Sequence, residues 1–409
     1  MPVFKPYICT HLDLASHTSP PEPVTQEDGQ YIVLWWNARA IGHLFIKPGE
    51  VLTPSAYEAK ILHAASWAMQ HYTGTTATSW TVFRSIFSQA FSVSEKIPLT
   101  CRATVVICTR DRAQNLHRCL TGLTQQVCKP SEIIVIDNAS RHDDTRKTVE
   151  AFSNVKYIRE DNPGLDIARN TGAREASEPI ILYTDDDTDI HPQWVYESVK
   201  TFDDPAVMAF TGLVLAAELN TEAQYIFERH WPFNRGFIAK RYDTVFFNDT
   251  VTQGVPVWTI GAGANMGFRK SIFSSVGYFD ERLDVGAAGC NGDSEMWYRI
   301  LAAGYTIQYN PRAIVSHYHR DTMDKFKQQI FFYMRGFTAA IMIQHQRFRH
   351  KGNLRHLYRT LPPYYSWLLL RGFPYNRGRY KTIFAEIHGI FSGLIFYLKY
   401  RNTPSNHSR

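Results

Sequence analysis

Between residues 103 and 202, four strand-like apolar runs alternate with helix-like segments, and this alternation constrains the fold more than any other feature. The runs read ATVVICT, EIIVIDN, VKYIRE and PIILYTDDD. Strands that alternate with helices at this pace predict a mostly parallel sheet with helices on both faces. In such a sheet, ligands bind beyond the carboxyl ends of the strands. Because three strands end in polar residues, we expect 109–111, 137–138 and 185–187 to face one crevice.

The segments on either side of this α/β region have different patterns. We therefore predict three parts: a small α+β module (1–98), the α/β domain (99–320) and a basic, aromatic, helical C-terminal region (321–409). In the first part, Tyr31–Trp36 and Ile41–Ile46 have the composition of a β-hairpin. The Pro-rich residues 1–24 are expected to be irregular.

Composition excludes several classes of protein. The 409 residues are 44% hydrophobic and 20% charged, which rules out a largely disordered or fibrous chain. A clean run of ~20 apolar residues is missing, which excludes a polytopic membrane protein. The first residues do not resemble a secretory signal. Six cysteines without a CxxC pair or zinc-site spacing favour buried thiols in a reducing, cytoplasmic compartment.

The charge is distributed unevenly along the chain. Residues 320–409 carry 16 Lys and Arg against 3 Asp and Glu, so their net charge is +13, whereas residues 1–319 carry −7. A basic region of this kind favours a polyanionic partner, and a membrane surface, a lipid phosphate and a nucleic acid all qualify. Ile383–Leu398 has apolar residues on one helical face, but it is short for a membrane span. It suits an in-plane membrane helix or, equally, a surface helix packed on the protein.

An acidic run at the end of an apolar strand is the strongest local signal. Asp185, Asp186, Asp187 and Asp189 lie within five residues. So many carboxylates repel one another unless a cation or hydrogen-bond donors compensate, and such hard oxygen ligands suit Mg²⁺ or Mn²⁺. A solvated acidic turn is the plain alternative. The position at the end of a buried strand favours the metal site.

Four further segments carry weaker signals. NPGLDIARNTG opens a helix with a glycine and places Arg169 on its first turns, an arrangement that favours phosphate. GAGANM, with Gly263 and Asn265, lets backbone approach a bulky ligand, although a tight turn would look the same. GDSEMWYR places Asp293 and Glu295 at a helix start, where they are either a general base and its neighbour or ordinary caps.

The fourth segment is SHYHR, in which His317 and His319 follow a strand. A spacing of two places both side chains on the same face of a strand. A neutral imidazole could join the carboxylates on a metal, although a single histidine is more often structural.

In this order and spacing, the segments resemble family 2 of the glycosyltransferases, whose fold is of the GT-A type. The resemblance covers about Ala103 to Arg320 and implies an inverting transfer of a sugar from a nucleoside-diphosphate sugar to an acceptor hydroxyl. It implies Mn²⁺ or Mg²⁺ as cofactor and a glycan or lipid-linked acceptor, as in cell-envelope polysaccharide synthesis. Nucleic acid is not among the implied partners, and an anionic membrane surface is a possible contact of the C-terminal region.

The same resemblance implies roles for individual residues. Asp293 would be the catalytic base, Asp187 and His317 would bind the metal, and His319 would be the substitute for His317. The residues implied in substrate or nucleotide binding are Thr109, Arg110, Asp137, Arg169, Asp185, Asp186, Gly263, Asn265 and Glu295.

Two departures from the family pattern affect these expectations. Gly292 stands before Asp293 where the family usually has Glu, so Asp293 alone matches the base. Three aspartates run together, so the register of the DxD motif is ambiguous, and we take Asp185 and Asp187 with Asp186 between them. The chain also lacks a Q-x-x-R-W motif, which is evidence against processive polymer synthesis. Two other functions are open at this level: a non-catalytic sugar-nucleotide or glycan-binding protein, and a nucleotidyltransferase that releases pyrophosphate. The expected location is the cytoplasm, peripheral on the inner face of the cell membrane if the C-terminal region binds lipid.

Overall fold

The computed structural model describes residues 4–24, 26–92, 95–372 and 377–403. Residues 404–409, the end of the predicted C-terminal region, therefore lie outside the description. The strands are β1 (Tyr7–Asp13), β2 (Gly29–Trp36), β3 (Arg39–Ile46), β4 (Thr100–Thr109), β5 (Lys129–Asn138), β6 (Lys156–Glu160), β7 (Ile180–Asp185), β8 (Thr188–Ile190), β9 (Val207–Ala216), β10 (Lys240–Tyr242), β11 (Asn265–Arg269) and β12 (Thr306–His317). The helices are α1 (Pro54–Thr73), α2 (Trp80–Ala90), α3 (Ala113–Thr124), α4 (Asp144–Glu150), α5 (Leu165–Glu175), α6 (Trp194–Lys200), α7 (Glu222–His230), α8 (Thr244–Thr250), α9 (Ile272–Val276), α10 (Gly292–Ala302), α11 (Met323–Phe348), α12 (Lys351–Arg355), α13 (Leu361–Arg371), α14 (Arg377–Tyr380) and α15 (Ile383–Tyr400).

The larger of two sheets, within the described residues, has nine strands in the order β10-β12-β9-β11-β7-β4-β5-β6, with β8 paired to β12. Neighbours among β6, β5, β4 and β7 are parallel, whereas β11 is antiparallel to both β7 and β9. The inner strand β7 has a continuous apolar run, as expected for a strand covered on both faces. The predicted α/β class is confirmed, with a parallel-rich sheet, flanking helices, a small N-terminal sheet and C-terminal helices.

The N-terminal sheet contains one strand that the sequence pattern did not predict. The expected hairpin is present as β2 and β3, but Tyr7–Asp13 pairs in parallel with β2 and is not irregular. A register of seven residue pairs holds β1 in place, and Tyr7 stacks on Tyr225 of α7. This strand is stabilised by partners from distant parts of the chain, which a local proline-rich composition does not reveal.

One further segment does not have the structure that its composition favours. Residues 257–260 have strand-like composition, yet Val257–Thr259 forms a single 3₁₀ turn. The glycine-rich run after it leads into β11, which lies inside the sheet between β7 and β9. A small residue is needed there because the neighbouring strand β9 lies close: a Cβ on Gly267 would lie 2.6 Å from the ring of Phe210.

The expectation of six free thiols is wrong for one pair, because Cys101 and Cys128 form a disulfide bond. Cys101 lies near the start of β4, and Cys128 immediately precedes β5, which pairs with β4 in parallel. The strand pairing brings their Cα atoms to 6.2 Å. Their separation of 27 residues includes a whole crossover helix, so spacing alone gives no signal, and the cysteines no longer support a reducing compartment.

The C-terminal helices pack closely on one another and on the sheet domain. Gly389 and Gly393 of α15 face the backbone of α11, where a Cβ would lie 2.5 Å from the carbonyl oxygens of Phe331 and Arg335. The opposite, outer side of α15 carries an apolar face of Phe384, Phe391, Ile395 and Leu398, which are 60–76% exposed. None of the described helices is both long and apolar enough to cross a membrane.

Candidate active site

A cleft of about 1570 Å³ lies beyond the carboxyl ends of β4, β7 and β12. We divide its wall into two halves by chemistry. The acidic half contains Arg112, Asp185, Asp186, Asp187, Asp293 and His317. The aromatic half contains Trp231, Phe233, Trp258, Phe332, Tyr333 and Tyr364. The acidic half comes from strand ends and one helix start, and the aromatic half comes from loops and from the helices that follow β12.

Strand pairing assembles the centre of the acidic half. Asp185 is the last residue of β7, and the chain turns through the acidic run into β8. Because β8 pairs with β12, His317 lies opposite Thr188, the residue after Asp187. Asp185, Asp187 and His317 each offer a ligand atom within 4.8 Å of the others. Nothing local in the sequence links residues 187 and 317, but the sheet topology brings them together.

The charges around Asp187 favour its ionised form. Its Oδ2 accepts a hydrogen bond from Nη1 of Arg112 at 3.0 Å, and its Oδ1 lies 3.2 Å from Nε2 of His317. Burial would raise the pKa of Asp187, but His317, Arg112 and Arg320 outweigh it, and the pKa is lowered. Burial lowers the pKa of His317, but the carboxylates of Asp187 and Asp185 together raise it above its ordinary value.

These residues fit a divalent metal ion. The Oδ1 atom of Asp187 is buried and accepts no hydrogen bond, although a buried carboxylate oxygen normally has a partner. It faces an imidazole nitrogen and a second carboxylate, that of Asp185. Oxygen ligands of this type suit Mn²⁺ or Mg²⁺, and histidine is a common metal ligand.

Asp186, in the middle of the run, has a different role. Its carboxylate accepts hydrogen bonds from Thr109 Oγ1 at 2.6 Å and from Arg112 Nη1 at 3.1 Å. Burial raises its pKa to about 6, Arg112 opposes this, and the adjacent carboxylate of Asp187 adds to it. Asp186 therefore joins β7 to the end of β4 and orients Arg112, while Asp185 and Asp187 form the cluster with His317.

Arg169 is buried in a separate ion-pair network. Its Nη1 donates to Asp166 at 3.0 Å and to Asp284 at 2.6 Å. Burial lowers its pKa, but the two carboxylates raise it far more, so the guanidinium stays charged. Gly263 is packed against this network, since a Cβ there would lie 2.7 Å from Nη2 of Arg169.

Asp293 reaches the cleft from the first turn of α10. Its Oδ1 accepts a hydrogen bond from the backbone of Ser294 at 2.6 Å, and the backbone of Gly263 also donates to the carboxylate. Burial raises its pKa, and Arg169 lowers it in part. A Cβ on Gly263 would lie 3.1 Å from its Oδ2, so this position accepts only glycine without displacement of the carboxylate.

Most of the residues singled out from the sequence line the cleft, but three do not. Thr109, Arg110, Arg169, Asp185, Asp186, Asp187, Gly263, Asp293, His317 and His319 line it. Asp137 instead accepts hydrogen bonds from Tyr157 and Arg159. Its neighbour Asn138 lines the cleft and accepts from the backbone of Gly164 at 2.8 Å.

Asn265 and Glu295 have structural contacts away from the cleft. Asn265 is fully buried, accepts from Trp194 and donates to two carbonyl groups of neighbouring strands. Glu295 accepts two hydrogen bonds from Arg299, and the same arginine donates to carbonyl groups in the loop after α9. These two side chains hold β11 and α10 in position.

Sequence reasoning missed two side chains that line the site, Arg112 and Asp284. Arg112 directly follows the polar residues 109–111 at the end of β4, and its separation of two residues from Arg110 was the available signal. Asp284 was not singled out, whereas Asn138 lines the cleft as expected for the segment 137–138. The aromatic half was also missed, because its members lie in separate segments between residues 231 and 364.

Comparison with known proteins identifies this domain. Residues 104–277 match the model of glycosyl transferase family 2. These residues form a glycosyltransferase family 2 domain. The prediction that the protein is a transferase enzyme is thereby confirmed. Asp293 and His317 lie beyond the matched residues, so their roles depend on the geometry described above.

Curated relatives have the same general activity. The chain is 29% identical to glycosyltransferase AglE of Haloferax volcanii over 233 residues, which are 55% of this chain and 70% of AglE. It is 25% identical to the pre-mycofactocin glycosyltransferase of Mycobacterium tuberculosis over 245 residues, and spans about half (48%) of that protein. A solved structure, mannosyltransferase PcManGT from Pyrobaculum calidifontis in complex with GDP-Man and Mn²⁺, aligns with a TM-score of 0.46 at 16% identity. This alignment covers 82% of this chain and 97% of the mannosyltransferase.

Proposed function

We propose that this glycosyltransferase moves a sugar, with inversion, from a nucleoside-diphosphate sugar to a hydroxyl group of a glycan or lipid-linked acceptor. The observation that carries the proposal is that one cleft is lined by both the Asp185–Asp187–His317 cluster and the buried carboxylate of Asp293. An inverting transfer needs these two things: a place for the leaving diphosphate and a base for the acceptor.

Asp185, Asp187 and His317 would hold Mn²⁺ or Mg²⁺. When bound there, the cation neutralises negative charge on the diphosphate that leaves. Arg112 and Arg110 line the same part of the cleft and add positive charge for the phosphates. Arg169 keeps its charge through its two carboxylate partners, and we assign it to orientation of the sugar-nucleotide.

Asp293 is proposed as the general base. The acceptor hydroxyl gives its proton to Asp293 while its oxygen forms a bond to the anomeric carbon. The bond from that carbon to the diphosphate oxygen breaks, and its electron pair leaves with the diphosphate. A single in-line displacement of this kind inverts the anomeric centre. The raised pKa of the buried Asp293 supports this role, because an effective base has a pKa nearer to the working pH.

We assign the acceptor to the aromatic half of the cleft. Aromatic rings present flat apolar surfaces, and tyrosine and tryptophan combine these with a polar group, which suits a saccharide. The outer apolar face of α15 and the exposed Leu370 of α13 (84% exposed) support a peripheral contact with a bilayer. The net charge of +13 in residues 320–409 favours an anionic one. A lipid-linked acceptor, as in the assembly of a cell-envelope polysaccharide, is consistent with such a contact.

Titration calorimetry with UDP, GDP, dTDP and CMP, with and without Mn²⁺, tests the proposal on the wild type and on Asp187→Ala. We expect one nucleoside diphosphate to bind only with metal, and the variant to lose that binding. The control is Asp189→Asn, because Asp189 is in the same acidic run but pairs with Arg118 and Tyr318 at the surface. Binding of none of the nucleotides by the wild type would overturn the proposal.

Two other outcomes separate the alternative functions. Metal-dependent nucleotide binding without turnover of any donor and acceptor would favour a non-catalytic binding protein. Release of pyrophosphate, in place of a nucleoside diphosphate, would indicate a nucleotidyltransferase. Both products are distinguished by chromatography of the reaction mixture.

A further inference from the structure

Behind the Asp185–Asp187–His317 cluster, four buried polar side chains form a continuous row of contacts. Glu228 Oε2 lies 3.3 Å from His319 Nε2, and the Nδ1 atoms of His319 and His317 are also 3.3 Å apart. His317 Nε2 then lies 3.2 Å from Asp187 Oδ1. Each of the four residues is at most 7% exposed. This row of contacts leads from α7 to the cluster, and the proposed function uses only its last two residues, His317 and Asp187.

Apolar rings flank the two imidazoles of this row of contacts. The ring of Phe227 lies 4.3 Å from the His319 ring, centroid to centroid, and Phe233 packs edge-on against both imidazoles. Gln224 donates to the carbonyl of His319, which fixes the backbone at this point. The imidazole nitrogens of His319 therefore face Glu228 on one side and His317 on the other.

The requirements of a metal ligand determine where each proton lies. A neutral imidazole carries one proton, and a nitrogen that binds a metal must be bare. Because Nε2 of His317 faces Asp187, this is the atom that would bind, and the proton must be on Nδ1. That proton points to Nδ1 of His319, which must accept it. The proton of His319 is then on Nε2, opposite the carboxylate of Glu228, which can only accept.

We propose that Glu228 is a positioning residue that acts through His319 to keep His317 in the Nδ1–H tautomer, so that its Nε2 lone pair is available to the metal. The inference depends on the proposed metal site. Groups that hydrogen-bond to a metal-binding imidazole fix its tautomer and ring orientation, and their loss typically weakens metal affinity. Here the effect passes through a second histidine before it reaches a carboxylate.

The experiment measures Mn²⁺ affinity without nucleotide, by calorimetry, for wild type, Glu228→Met and Glu228→Gln. Methionine has a similar length but no acceptor, and we expect it to weaken Mn²⁺ binding roughly 10- to 100-fold. Glutamine also lacks the charge but keeps an acceptor oxygen, so we expect most of the affinity to remain. Equal losses in both variants would show that Glu228 acts through its charge alone and would overturn the tautomer proposal.

A spectroscopic signature checks the tautomer directly. In ¹⁵N-histidine spectra of the protein loaded with Zn²⁺, a diamagnetic substitute for Mn²⁺, His317 should carry its proton on Nδ1. A wild-type spectrum with the Nδ1 of His319 protonated and that of His317 bare would contradict the proposal. His319→Leu, which removes the acceptor for His317, should weaken Mn²⁺ binding to a similar extent as Glu228→Met.

The matched control is Glu222→Gln on the same helix, α7. Glu222 is half-exposed and pairs with Lys381 at the surface, so its loss should leave Mn²⁺ affinity unchanged. Thermal melts without metal identify variants that fail to fold. If the Glu228 variants do not fold, Mn²⁺ binding by His319→Leu and the wild-type ¹⁵N spectra test the proposal. Failure of the wild type to bind Mn²⁺ would overturn the metal site itself. If the folded Glu228→Met variant binds Mn²⁺ as tightly as the wild type does, only the proposed role of Glu228 is overturned.

Discussion

The two halves of the cleft are built in different ways. In the acidic half, short runs of chain at the ends of β4, β7 and β12 supply the functional groups, and the strand register fixes their mutual distances. In the aromatic half, side chains from α11, α13 and the loops after α7 and α8 meet mainly through packing. Chemistry that needs positions accurate to a fraction of an ångström is thus placed on rigid strands, whereas a broad apolar contact is assembled from separate segments.

The halves also differ in the kind of contacts that their side chains make. In the acidic half, the carboxylates of Asp186 and Asp187 pair with Arg112 and His317, and one oxygen of Asp187 is left for a cation. The aromatic half consists largely of ring contacts, such as Trp258 edge-on against Phe337. Loss of one group should therefore cost far more in the acidic half than in the aromatic half. The predictions below test this contrast, from the largest effect to the smallest.

Asp293→Asn should give the largest loss. The amide has nearly the same shape but cannot accept the proton, so we expect transfer to fall roughly 10²- to 10⁴-fold. Nucleotide binding in the presence of Mn²⁺ should be retained, because Asp293 does not belong to the metal cluster. Product chromatography and calorimetry measure the two quantities. Normal transfer by the Asp293→Asn variant would show that the base is another group.

Gly263→Ala should reduce the turnover number about 100-fold, because a methyl group here displaces both the Asp293 carboxylate and the Arg169 guanidinium. Gly122→Ala is the control: its Cβ would lie at ordinary contact distance, 3.7 Å from Ile190, within helix α3. Steady-state kinetics of both variants, with melting temperatures, make the comparison. Equal activity of the two variants would contradict the close approach at Gly263.

Phe391→Glu with Ile395→Glu should weaken binding to vesicles of anionic phospholipid more than ten-fold, since each buried apolar side chain contributes about 1.5–3 kcal/mol. Trp67→Glu is the control, because Trp67 is also exposed (75%) but lies on α1 of the N-terminal module. Vesicle sedimentation measures the partition of each protein. If the Trp67 variant loses binding and the α15 variant keeps it, the bilayer contact lies elsewhere.

Trp258→Leu should raise the KM for the acceptor about ten-fold, as expected for the loss of one aromatic contact worth ~1.4 kcal/mol. The KM for the donor should stay the same, because Trp258 lies in the aromatic half. Kinetics at saturating concentrations of the other substrate separate the two constants. A change confined to the donor constant would reverse the assignment of the two halves.

The smallest effect is a shift in the pH profile. Asp293 must be ionised to accept a proton, so kcat/KM falls as the pH drops below its pKa. Because burial raises this pKa above the ordinary value of 3.8, the fall should begin at a higher pH than for an exposed aspartate. Rates measured at saturating Mn²⁺ across the acidic range test this. An acid limb at or below about pH 4 would show an unperturbed base.

The difference between the halves also explains what the sequence could predict. The acidic run, the start of α10 and the SHYHR segment were recognisable because each is a few residues at a predictable strand or helix end. The pairing of Asp187 with His317 needed the β8–β12 register, which is a tertiary property. The contacts that distinguish Asp186 from Asp187 could not be predicted either: Asp186 accepts a hydrogen bond from Thr109 at the end of β4, whereas Asp187 lies against His317.

Contacts between distant segments account for the remaining errors. Asn265 and Glu295 have the residue types of ligand-binding groups, but Trp194 and Arg299 satisfy them internally. Strand β1 and the disulfide between Cys101 and Cys128 likewise depend on neighbours across a sheet. In each case the local sequence shows the residue but not its partner, which is far away along the chain.

The glycine contacts between α15 and α11 have a consequence for the kinetics of the proposed attachment to a membrane surface. Because Gly389 and Gly393 lie against the α11 backbone, α15 cannot turn about its axis without a steric clash, and its apolar face points outward before any lipid is met. Attachment then requires no coupled folding, so its rate should increase linearly with vesicle concentration, without a plateau set by a conformational step. The enzyme would dock as a rigid body, with its cleft already open.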